Sequence, residues 1–73
     1  MSGVEVRADV VSNVWKLLTE PGAQVQEGDV LAVLESMKME IPVNAPATGT
    51  VGEVRVSEGQ IVQEGDVLAV IDA

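Results

Sequence analysis

The chain has no cysteine, no histidine, no phenylalanine and no tyrosine, and a single tryptophan. Each absence excludes something. Without Cys there can be no disulfide, and without Cys and His no zinc site of the usual donor set. Thiol nucleophiles, serine–histidine pairs and imidazole acid–base chemistry go with them. Basic residues are scarce too: Arg7, Lys16, Lys38 and Arg55 face twelve acidic residues, for a net charge of −8. Such a surface repels nucleic-acid backbones and anionic membranes, so neither is expected as a partner. The longest apolar run, Val30 to Leu34, is five residues, far short of a membrane span. The first residues carry Glu5, Arg7 and Asp9 and no apolar stretch of the signal-peptide kind. A cytoplasmic location is the expectation, and the lack of Cys fits a reducing compartment.

What is present is small and branched. Val and Ile total 18 against five Leu in a chain of 73 residues. Stiff β-branched side chains favour the pleated sheet over the helix. A chain this short buries only about 60% of the surface it exposes when unfolded, so its core is small. Length and composition therefore point to one all-β domain over residues 1–73, with two thin sheets packed face to face.

The chain also repeats itself. Shifted by 37 residues, Val25 to Val33 are identical to Val62 to Val70, and 13 of the 33 residues from Val4 to Ser36 match. Weaker matches run further back: Val6 over Val43, Ala8 over Ala45, Val14 over Val51. Two copies are too few for a solenoid. They suit two halves, about 1–36 and 37–73, each covering the apolar face of the other about a pseudo-two-fold axis. Each half has net charge −4, so there is no acidic tail.

Alternation and turn residues predict eight short strands: Val4–Arg7, Asn13–Thr19, one at Val25, Val30–Ser36, Met39–Asn44, Thr50–Val56, Ile61–Val62 and Val67–Asp72. Glu27-Gly28-Asp29 and Glu64-Gly65-Asp66 read as turns in which Gly supplies positive φ. No segment holds a 3.6-residue apolar period, so no helix is expected. From Val30 to Ile41 there is no Gly, Pro, Asn or Asp. Propensity alone would draw one long strand there, yet the repeat requires the chain to reverse at Met37-Lys38. Bulky residues in so tight a turn would be strained, and such strain concentrates at functional sites. Trp15 is expected in the core, with a partner contact as the alternative because its repeat mate is Gly52. Gly49 reads as a point of close backbone approach or a bulge.

Lys38 is thus at the pivot of the repeat, between Met37 and Met39, with Glu35 and Glu40 outside them. An exposed hairpin lysine is ordinarily a solvated charge, and a methionine pair is ordinarily core filler. Two methionines in the most exposed turn instead place apolar surface where a partner can read it. Glu35-Ser36-Met37-Lys38-Met39 resembles the acceptor motif Glu-Ala-Met-Lys-Met of the biotinyl/lipoyl attachment domain family, with Ser36 in place of Ala. Ala45-Pro46-Ala47-Thr48-Gly49-Thr50-Val51 is similar to the family's Ala-Pro-x-x-Gly-x-Val segment. Glu20-Pro21-Gly22, Gly59 and the two Glu-Gly-Asp turns are similar to its paired turns. The resemblance spans nearly the whole chain.

It implies a fold: a flattened barrel-sandwich hybrid of two four-stranded antiparallel sheets, of the thumbless kind, with the lysine hairpin at one end and both termini at the other. It implies a function too. Lys38 would be biotinylated by a biotin protein ligase. The tethered biotin would carry carboxylate between biotin carboxylase and carboxyltransferase sites. Met37 and Met39 would be recognition residues, with Glu35 and Glu40 as further candidates. The domain would be a non-catalytic, monomeric carrier, similar to the small free-standing attachment proteins of actinobacteria. A lipoyl carrier for a 2-oxo acid dehydrogenase is the nearest alternative; its tip usually reads Asp-Lys-Ala. An unmodified β interaction module is the other.

Overall fold

The computed structural model describes residues 3–73 and contains eight strands and, among those residues, no helix. In chain order they are β1 (Gly3–Arg7), β2 (Ser12–Leu17), β3 (Gln24–Val25), β4 (Val30–Ser36), β5 (Met39–Asn44), β6 (Gly49–Val54), β7 (Ile61–Val62) and β8 (Val67–Asp72). Two antiparallel four-stranded sheets result, in the orders β1-β8-β6-β3 and β5-β4-β2-β7. They face each other as a sandwich and do not close into a barrel through the strand ladders. The molecule is elongated, 36 × 18 × 17 Å. The expected start of the first half at residue 1 lies outside the described residues.

The 37-residue shift governs geometry as well as sequence. Leu31, Leu34, Val14, Val62 and Ala8 anchor positions whose mates are Leu68, Ile71, Val51, Val25 and Ala45, and all ten are buried. They form two apolar clusters, one at each end of the sandwich. Positive φ occurs at Gly22 and Gly28 and again at their mates Gly59 and Gly65. In each Glu-Gly-Asp turn the aspartate side chain accepts from a backbone N–H three residues earlier: Gln26 N to Asp29 at 2.9 Å, Gln63 N to Asp66 at 2.8 Å. Even the irregularities repeat. The register slips at Leu31 and at Leu68, and at Trp15 and at Gly52.

The second pair of slips corrects the reading of Trp15. At a β-bulge the extra residue upsets strict alternation. Val14 points into the core, and Trp15 and Lys16 are then both exposed; Val51, Gly52 and Glu53 repeat the pattern. Trp15 is therefore 44% exposed and not a core residue. The Lys16 ammonium lies 5.3 Å from its ring centroid, on the same outer side. Two strands are shorter than expected. Sheet pairing of β2 ends at Leu17, with Leu18 N–H bonded to Leu31 O at 2.9 Å, and β6 ends likewise, with Arg55 N–H on Leu68 O at 2.8 Å. Thr19 and Val56 then sit at matching places; Val56 is buried, while the Thr19 hydroxyl is buried without a hydrogen-bond partner.

Gly49 meets its expectation. A Cβ there would overlap the Asp72 carbonyl, so β6 and β8 could not pair with any larger residue at this position.

Candidate functional site

Among the described residues β4 and β5 form the longest ladder, from Val30↔Asn44 to Ser36↔Met39, and only Met37 and Lys38 lie between them. A two-residue hairpin in a twisted sheet needs positive φ at both central residues, which usually selects Asn-Gly. Met37 has φ 51° and Lys38 φ 67°. Each non-glycine residue in that region costs about 1–2 kcal/mol. The ladder holds them there because Leu34, fully buried, and its partner Ile41 fix the register one turn below. A slip of one residue would turn Leu34 out to solvent.

The result is a projecting lysine. Met37 is 92% exposed and Met39 64%, so the tip offers apolar surface on both sides of an exposed amine. Among the described residues the ion pairs are Arg7 with Glu5 and Arg55 with Glu53; Lys38 joins neither. The Arg55 guanidinium, hydrogen-bonded to Glu53 and attracting it, holds that carboxyl below the ordinary carboxylate range. Both pairs lie away from the tip, on the other sheet. Among the described residues the Lys38 ammonium has neither a hydrogen bond nor an ion pair, so it stands free at the tip.

Glu35 and Glu40 face each other directly across the ladder, one pair in from Ser36↔Met39. Like charges opposite one another oppose pairing. Here both are exposed, so water moderates the repulsion. The structure thus brings Glu35, Met37, Lys38, Met39 and Glu40 together at one end of the sandwich. Alternation puts Met39 on the side of Ile41, over the end of the core, and the two glutamates on the outer face. Ile61, which the sequence reading passed over, is 67% exposed and lies in the same cross-sheet row as Asn13, Glu35 and Glu40. Its repeat mate is Gln24, and that mismatch was the available signal.

Comparison with known proteins agrees with this geometry. The model of the family described as "Biotin-requiring enzyme" matches residues 1–71. The chain is 51% identical over 49 residues to a "Biotinylated protein TB7.3 homolog" of Mycobacterium leprae, covering 67% of this chain and 69% of the relative. It is 48% identical over 48 residues to the "Biotin/lipoyl attachment protein" of Bacillus subtilis, covering 66% of each. Among solved structures, the urea carboxylase of Kluyveromyces lactis superposes on 99% of this chain with a TM-score of 0.91 at 29% identity. A single-chain, multi-domain long-chain acyl-CoA carboxylase does so on 93% at 0.86 and 37% identity. This chain spans only 6% and 7% of those two proteins. With the match covering nearly every residue, and the lysine hairpin standing where the motif places it, the chain belongs to the biotin-requiring enzyme family.

Proposed function

We propose that residues 1–73 form one biotin carrier domain and that Lys38 Nζ is its attachment atom. One observation carries this reading: Lys38 is held at positive φ on a two-residue turn, between two methionines that are largely out in solvent. That is an amine displayed at the end of a rigid ladder. In its neutral form the amine attacks the acyl carbonyl of biotinyl-adenylate held by a biotin protein ligase. An amide forms, AMP leaves and the amine gives up a proton; the formal charge passes from −8 to −9. Met37 and Met39 supply the apolar contacts by which partner enzymes find the tip, and Glu35 and Glu40 mark its outer face. Biotin, when bound, supplies a ureido nitrogen that takes up carboxylate at one enzyme site and yields it at another.

The chain's own contribution is display and tethering. A linked group samples its target site at an effective concentration of about the mM scale without tight binding. The partners are biotin carboxylase and carboxyltransferase. The domain acts as a non-catalytic cytoplasmic monomer, a reading its Cys-free, His-free and strongly acidic composition supports.

The test is co-expression with a biotin protein ligase followed by intact-mass measurement. One biotin increment is expected, absent in Lys38→Arg, where the charge is kept but the acceptor amine is lost. Lys16 is the only other lysine, which makes the control clean. No increment, an increment surviving in Lys38→Arg, or a lipoyl increment would overturn the assignment.

A further inference from the structure

The two sheets share one backbone plan, so their outer faces can be compared position by position. On the sheet that carries the Lys38 hairpin, the outer face presents Trp15, Val33, Pro42 and Ile61, with Asn13 and Lys16 between them. The mates of the four apolar residues on the other sheet are Gly52, Val70, Glu5 and Gln24. Three of the four are small or polar there. The fold therefore does not require apolar side chains at these places; a backbone of the same shape, with the same bulge, is built without them.

We infer that this outer face is the surface on which the biotin protein ligase seats when it modifies Lys38, with Trp15 as its aromatic anchor. The inference rests on the assignment of Lys38 above. Reach is the first argument. The ligase acts on the lysine amine itself, before any long arm exists, so its protein surface must come down onto the domain around the tip. A specific interface covers about 800 Å² on each partner, a disc of about 16 Å radius. At about 3.4 Å per residue along a strand and about 4.8 Å between strands, Trp15 and Ile61 lie about 14 Å from the turn. Both fall inside that disc, whereas the opposite outer face lies beyond the thickness of the sandwich.

Chemistry is the second argument. Trp is the residue type most enriched among interface anchors, and aromatic anchors are commonly centred in an apolar patch with a polar rim. Here the rim nearest the lysine is Glu35 and Glu40, neither of them ion-paired among the described residues. A domain of net charge −8 approaches a basic rim faster, and raised salt weakens that approach. The ligase surface that fits is thus an apolar recess able to take an indole, flanked by Lys or Arg on the side of its active site.

The test uses substitutions copied from the other face, which the fold already accommodates: Trp15→Gly and Ile61→Gln, with Gln24→Ala as the control on the opposite sheet. Biotin incorporation is measured against domain concentration at two salt concentrations. Circular dichroism and thermal unfolding verify that each variant is folded. We expect kcat/KM to fall about tenfold for Trp15→Gly and about threefold for Ile61→Gln. The loss should be carried by KM, with Gln24→Ala unchanged. The indole N–H resonance of Lys38→Arg, which cannot turn over, should shift on titration with ligase. For Ile61→Gln, which keeps the indole, the same titration separates lost docking from lost fold. Wild-type rates in folded variants, or an indole resonance that ligase leaves in place, would overturn the inference while leaving Lys38 as the acceptor. A KM effect seen with a biotin carboxylase and not with the ligase would reassign the face and overturn it equally. Failure of the wild-type chain to be modified at all would instead strike the assignment of Lys38.

Discussion

The two ends of this sandwich are built from the same parts and finish differently. At one end β4 and β5 pair up to Ser36↔Met39 and turn over at Met37-Lys38. At the other, β1 and β8 pair in the equivalent register, with Gly3↔Asp72 in the place of Glu40↔Glu35, and no turn joins them. Leu34 and its mate Ile71 support the two ends from below, both fully buried. The scaffold is symmetric, and the proposed attachment site is in what departs from symmetry: a turn at positive φ, two exposed methionines and a lysine. This follows a general division of labour, in which the fold positions a site and a few residues give it chemistry.

The largest effects should test the symmetric part. Leu34→Ala and Ile71→Ala each remove a fully buried aliphatic side chain and should cost about 3–4 kcal/mol. If the ends are equivalent as packing, urea unfolding should give the same loss for both to within about 0.5 kcal/mol. A difference of several-fold would break the comparison. Next comes the strain on one end only. Replacing Met37-Lys38 by Asn-Gly should stabilise the protein by about 2 kcal/mol, since both residues then suit positive φ, while abolishing attachment. No gain in the unfolding midpoint would mean that the turn is not strained. A smaller effect separates the halves. Thr19 has a buried, unpaired hydroxyl where its mate is Val56. Thr19→Val should add about 1 kcal/mol, read as a rise in unfolding midpoint at unchanged m-value. The smallest concerns the facing glutamates. Glu35→Gln relieves a cross-strand repulsion and should add about 0.3 kcal/mol at low salt, fading as salt is raised. A gain that persisted at high salt would point to a cause other than charge.

Most of the strands were legible because two signals agreed. Ile61–Val62 and Val67–Asp72 are β-branched runs bounded by turn residues, and the repeat pairs them with Gln24–Val25 and with the strand that begins at Val30. The reversal at Met37-Lys38 was legible from the repeat alone, because the turn chemistry there is wrong for a hairpin and local rules would have continued the strand. Trp15 was misjudged for the opposite reason. Its apolarity argued for burial, but a bulge at that position turns Trp15 and Lys16 both outward, and a bulge leaves little trace in local composition. The Gly52 mate carried the hint: a position that glycine fills in one half need not be packed in the other.

The amino-acid sequence by itself determined the all-β class, the doubling of the chain and the lysine at its pivot. These follow from side-chain branching, identity at a fixed spacing and a short motif, all of which are properties of the chain as a line. Tertiary structure decided which apolar residues are core and which are surface. Exposure depends on bulges and on the register between strands far apart in sequence, and these are settled only when the two halves close on each other. That closure leaves Trp15, Pro42 and Ile61 outside, on the face beside Lys38, while their mates on the opposite face are small or polar.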